Sequence, residues 1–165
     1  MGLAHISRIA VALTAAAGSF AAAGAAGAGA QGASCPVGDE AVTNVHYAIF
    51  DPNNTSHNAT RLRGNVDSGD QVNVLFDVPA LPAGCSDVTL TIATYTSPVS
   101  PRHMNKLTLF SQQSQSFIAG GGYEMSATIA PHTSAATRHF QIDFATGPVL
   151  TPPDYDSNLI DSAQH

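Results

Sequence analysis

The chain has 165 residues and carries 6 Lys+Arg against 12 Asp+Glu, a formal net charge of −6. Such a surface repels phosphate backbones and anionic lipid, so nucleic acid and anionic membranes are poor partners for it. Asp far outnumbers Glu and Lys106 is the one lysine, a balance that suits turns and loops better than helices.

Residues 1–30 read as a secretory signal peptide. A basic start at Arg8 precedes the apolar run Ile9 to Leu13, and an Ala/Gly-rich stretch ends in the small residues Ala28-Gly29-Ala30. The apolar part is too diluted with Gly and Ala to hold a membrane as a helix. Removing it takes away only Arg8 among the charges, so the remainder, residues 31–165, is more acidic still. Gly32-Ala33-Ser34-Cys35 partly resembles a bacterial lipobox, with Gly32 where a large aliphatic residue belongs, so a surface lipoprotein anchored through Cys35 stands as an alternative. Cys35 and Cys85 are the two cysteines, and an exported chain favours pairing them as a disulfide. Lipidation of Cys35 would leave Cys85 without its partner.

One domain is expected over 31–150, with a flexible tail over 151–165. Asn44 to Phe50 alternates with Val45, Tyr47 and Ile49 inward, and the Asp51-Pro52-Asn53-Asn54 turn stops it. Arg61-Leu62-Arg63-Gly64 is read as opening a short strand. Gln71 to Val78 places Val72, Val74, Phe76 and Val78 on one face. Asp87 to Tyr95 does the same with Val88, Leu90 and Ile92, and Pro98 and Pro101 end that strand. A weaker strand over Lys106 to Phe110 runs into the polar stretch Ser111 to Ser116, read as a loop or an edge strand. Gly120-Gly121-Gly122 forces a turn, and Tyr123 to Ile129 resumes the pairing. In Arg138 to Gly147, Phe140, Ile142 and Phe144 point one way while His139, Gln141 and Asp143 point the other. Seven or so short strands with frequent turns and no convincing helix predict an all-β fold: an antiparallel β-sandwich, with an immunoglobulin-like arrangement as its particular form.

Thr94-Tyr95-Thr96-Ser97-Pro98, the Gln-rich stretch, Gly121-Gly122, and Phe140-Gln141-Ile142-Asp143-Phe144 with Gly147-Pro148 carry a resemblance. From about residue 87 onward the chain is similar to a poorly characterised extracellular β-sandwich module of actinobacterial secreted and surface proteins. The resemblance implies a sandwich displayed at the cell envelope and supplies no activity. The chain departs from the group in having no Cys ahead of the Gln141-Ile142-Asp143-Phe144 motif and no sortase motif, so wall anchoring is not expected.

Chemistry-bearing patterns are few. His139, Gln141 and Asp143 share one strand face at about 7 Å between alternate residues. They form the candidate binding face, able to meet sugar hydroxyls or to contribute a metal ligand, and a solvated outer face accounts for the same row. His46, His103 and His132 are the candidate metal ligands beside His139, and His103-Met104 would suit copper, yet no fixed ligand spacing supports a centre. Asp154, Asp156 and Asn158 follow a D-x-D-x-N pattern, but Leu159 replaces the glycine that a calcium loop needs. There is no Gly-x-Ser-x-Gly elbow, His-Glu-x-x-His or phosphate loop. The expected protein is therefore secreted and extracellular, not an enzyme, and without a cofactor. It acts by surface contact: adhesion, envelope structure, or binding of an extracellular protein or glycan. The alternative is an extracellular small-ligand or metal-binding protein that uses the surface histidines.

Overall fold

Apolar side chains at every second position need a surface to bury against, and two such sets of strands can satisfy one another face to face. The computed structural model describes residues 34–100 and 104–165, so the expected signal peptide over 1–30 and the candidate ligand His103 lie outside the described residues. Eight strands form: β1 (Thr43–Phe50), β2 (Ser56–Ala59), β3 (Gln71–Val78), β4 (Val88–Ser97), β5 (Thr108–Phe117), β6 (Gly120–Thr128), β7 (His139–Thr146) and β8 (Leu159–Gln164). They make two antiparallel four-stranded sheets, ordered β2-β1-β3-β6 and β5-β4-β7-β8. The all-β sandwich expected from the alternation is the fold.

The inward rows are the predicted ones. Tyr47 and Ile49, Val72 to Val78 at alternate positions, Val88, Leu90 and Ile92, and Phe140, Ile142 and Phe144 all enter one core cluster. Phe76 meets Phe117 edge to face, with ring centroids 5.1 Å apart and planes at 87°, the arrangement that aromatic quadrupoles favour. Each such large side chain stabilises the fold by roughly 2 kcal/mol through burial alone. Cys35 and Cys85 are paired, with Cα atoms 5.5 Å apart. The bond ties the segment ahead of β1 to the β3–β4 connection.

Two expectations need correction, and one alternative is decided. Arg61 to Gly64 is a turn, and the short strand lies earlier, at β2. Leu62 explains the shift, because its side chain is fully buried in the core while its N–H donates to Asp161 Oδ2 at 2.7 Å. A strand there would turn that N–H into a sheet ladder instead. For Ser111 to Ser116 the edge-strand alternative holds, since the whole stretch lies within β5 at the edge of its sheet. The tail expected over 151–165 is built into the domain: β8 pairs with β7, and Phe140 and His165 exchange backbone hydrogen bonds at 3.3 and 3.1 Å. The apolar side chains of Ile160 and Ala163 anchor it to the core.

Both open sides of the sandwich are closed by polar side chains. At one side Gln113 Oε1 accepts from Ser126 N at 2.8 Å, and Ser111 Oγ accepts from Thr128 N at 3.3 Å. Thr94 Oγ1 donates to Thr128 O at 2.6 Å. These bonds occupy the outer backbone groups of β6, which would otherwise invite another strand. At the other side the Leu62 turn and the Asp161 carboxylate span the gap between the sheets.

Candidate functional site

A sheet face not used for the core is normally wet, but the outer face of the β5-β4-β7-β8 sheet is roofed. Ala93, Tyr95 and Leu107 form a second small apolar cluster there, with Leu109 and Val149 against it. A bulge opposite Thr94/Tyr95 sets Leu109 across from Tyr95, which brings an apolar side chain of β5 to this outer cluster. The chain beyond Gly147 crosses over it and is fastened by a closed ring of hydrogen bonds. Leu150 N donates to Tyr155 Oη at 3.1 Å, and Tyr95 Oη donates to Leu150 O at 2.8 Å. With the Tyr95 proton committed to the carbonyl, Tyr155 supplies the proton for the 2.8 Å contact between the two phenols. Burial is the first cause that pushes both phenols above their ordinary ionisation range.

Under this roof the row His139, Gln141, Asp143 is not the solvated face the alternation suggested. Gln141 is 8% exposed and Asp143 1%. Asp143 sits in the middle of the sheet, opposite Ala93 on β4 and Ser162 on β8. Gln141 Nε2 donates to Asp143 Oδ2 at 2.7 Å, whereas Asp143 Oδ1 is buried with no hydrogen-bond partner. Burial disfavours the charged carboxylate and raises its pKa to about 7, against the lowering effect of the Gln141 bond. A cleft of about 490 Å³ opens beside it, with Gln141 and Asp143 on one wall. Pro153 and Tyr155 come from the roof, and Ser162 and Gln164 from β8. Asp154 and Asp156 add two exposed carboxylates to its lining. Its size is that of an ordinary small-ligand site.

The histidines do not join this site. His139 Nδ1 faces the carbonyl of His165 at 3.1 Å, which requires that nitrogen to carry the proton. His46 is exposed on β1 with Nδ1 2.9 Å from its neighbour Asn44 O. His132 is exposed in the loop ahead of β7. Among the described residues no three His, Cys, Asp or Glu side chains gather in a way that could hold a metal ion, and the Asp154-x-Asp156-x-Asn158 segment is a short 3-10 turn rather than a cation loop. Cys35 is committed to its disulfide, and no cysteine is free among the described residues.

The sequence reading paired Gln141 with Asp143 but missed Tyr95, Tyr155 and the roof. The signal was present in Val149, Leu150 and Tyr155, apolar or aromatic residues in a stretch otherwise made of Pro, Thr, Asp, Ser and Asn. A second buried polar atom, Tyr47 Oη, also lacks a hydrogen-bond partner, beside a smaller cleft that includes Asp161. Its phenol is held far above the ordinary range, by burial first and by the Asp161 charge second. No helix among the described residues is long and apolar enough to cross a membrane. The chain matches no protein family, no curated protein and no solved structure among those compared with it.

Proposed function

We propose that this chain is an extracellular binding module that acts by contact and not by chemistry, with the cleft beside Asp143 as its contact site. The observation that carries the reading is Asp143, which lines a ligand-sized cleft and whose buried Oδ1 has no hydrogen-bond partner. A buried polar group without a hydrogen bond is expensive, and a partner that arrives from outside is a direct way to satisfy it. Binding is favoured over catalysis because the side chain bonded to Asp143 is a glutamine amide, which orients a carboxylate but does not relay a proton.

The disulfide supports an oxidising, extracellular setting. The strand order supports an immunoglobulin-like arrangement, because β1, β3 and β6 share one sheet while β5, β4, β7 and β8 share the other. It is also in keeping with the resemblance to actinobacterial envelope modules. Adhesion to an envelope protein or glycan is the form of contact proposed.

Retention of the purified protein on cell-envelope material, with and without chelator, tests the reading. The wild type is retained in both conditions. Gln164→Trp, which fills the cleft from an exposed rim position, is not. Equal retention of variant and wild type, or loss of retention on chelation, overturns the assignment of the contact site.

A further inference from the structure

We propose that the cleft binds an alkylammonium group, a protonated primary amine on an aliphatic stem, with the ammonium on Asp143 Oδ1. The inference rests on the binding reading above and names its ligand class. Charge is the first argument. The cleft is lined by Asp143, Asp154 and Asp156, and none of its lining side chains is Lys, Arg or His. An anion would meet repulsion there, whereas a cation is attracted to the rim and steered inward.

Denticity is the second argument. Asp143 Oδ2 is already occupied by Gln141 Nε2 at 2.7 Å, so one oxygen of the carboxylate remains for a ligand. A guanidinium is a planar fork that needs two acceptors side by side, and an ammonium is a compact charge satisfied by single acceptors. Calcium asks for six or more oxygens, and the described residues offer no cluster of that kind. The third argument is the stem. Pro153, Tyr155 and Leu159 line the same cleft, a wall against which methylenes can pack while the charged end reaches the acid. A lysine side chain of a partner and a free diamine present this chemistry equally.

Binding is linked to protons. The ligand carries its charge throughout the neutral range, and Asp143 must be ionised to pair with it. Below pH 7 each binding event therefore expels one proton from Asp143 to solvent. The groups that face Asp143 do not confuse this linkage. From β4 and from the roof they are the Tyr95 and Tyr155 phenols, both raised by burial. From β8 they are Ser162 and Gln164, which do not titrate. Asp154 and Asp156 line the cleft as exposed carboxylates.

The test is a titration of the full, disulfide-intact chain followed by amide NMR at pH 6 and pH 8. The probes are Nα-acetyl-lysine methylamide, 1,5-diaminopentane, Nα-acetyl-arginine methylamide and calcium chloride. The lysine derivative, the diamine or both should shift the Gln141 side-chain amide and the Ser162 amide. Which of the two does so identifies the source of the amine. Affinity should rise roughly tenfold from pH 6 to pH 8, fall more than tenfold in the near-isosteric Asp143→Asn, and be several-fold weaker for the arginine derivative. The proposal is overturned if neither amine shifts these signals at a ligand concentration of about 10 mM, ten times a weak dissociation constant of about 1 mM, or if Asp143→Asn binds as well as wild type. It is likewise overturned if arginine or calcium binds as tightly as the amines. Failure here alongside Gln164→Trp losing envelope retention would leave the contact reading standing and remove only its ligand. Amine binding by a protein that envelope material does not retain would do the reverse.

Discussion

Replacing Asp143 by Asn isolates the energetic consequence of burying one carboxyl under the roof. Unfolded, this group ionises near 3.8; folded, it does so at about 7. Between those values the native state holds a proton that the unfolded chain has lost, so stability falls as pH rises through the window and levels off above the folded pKa. At 1.36 kcal/mol per unit the whole loss is about 4 kcal/mol, with no discount for solvent screening because the side chain is 1% exposed. Asn keeps the shape and can accept from Gln141 Nε2, but it cannot ionise. Urea unfolding of both proteins at pH 5, 6, 7 and 8 should therefore give diverging curves. About two-fifths of the loss lies below pH 5, so Asp143→Asn should gain on the wild type by a further ~2–3 kcal/mol between pH 5 and pH 8. Other carboxyls do not disturb the comparison, since their contributions are common to both proteins; Asp77, for example, is held below its ordinary value by the Asn44 side chain. Parallel pH profiles, or a variant that is less stable than wild type at pH 8, would refute the burial of an acid as the governing effect.

Removing the disulfide by Cys35→Ser with Cys85→Ser should lower stability by about 4 kcal/mol in the chain-entropy treatment of a fifty-residue loop. A fall in Tm on the order of 15 °C is the thermal counterpart, and a fall of only a few degrees would show that the loop is held closed by packing instead. Tyr155→Phe opens the hydrogen-bond ring above Tyr95 and leaves Leu150 N without its acceptor, at about 1–2 kcal/mol. Hydrogen exchange should speed up at Leu150 while the amides of β3 and β4 keep their protection; uniform acceleration would mean that the roof and the sandwich unfold together. Gly38 has φ +58, and a Cβ built on it would stand 2.5 Å from the Ser157 carbonyl oxygen. Gly38→Ala should therefore destabilise by about 1–3 kcal/mol, and denaturant unfolding within experimental error of wild type would contradict the close approach.

Alternation made most of the sandwich legible, because a strand's inward row depends on its own sequence. Val72, Val74, Phe76 and Val78 read as one face and are one face. What alternation does not encode is what lies on the outward side. The His139, Gln141 and Asp143 row has the same pattern whether water or a roof covers it, and the cover comes from residues 148–158, beyond the end of the strand. Leu62 shows the same limit from the other direction: a lone leucine between two arginines carries no period, yet it closes one side of the core. The glutamines of β5 read as a loop or an edge strand, and Gln113 accepts a bond from the free edge of β6. Side chains that bond to the backbone of another sheet leave no local signature, so their roles emerge only when the two sheets are placed.

The stability of Asp143 and the proposed ligand are one thermodynamic problem. A cation that binds only the ionised, folded carboxylate stabilises the native state by an amount set by its concentration over its dissociation constant. That stabilisation must grow with pH across the same window in which the unliganded protein weakens, because both follow the one proton on Asp143. Saturating amine should thus flatten the pH profile of the wild type and leave Asp143→Asn untouched. An amine that raised stability equally at pH 5 and pH 8 would be acting at Asp154, Asp156 or elsewhere on the acidic surface. The buried acid would then be a structural cost of the roof, with no part in recognition.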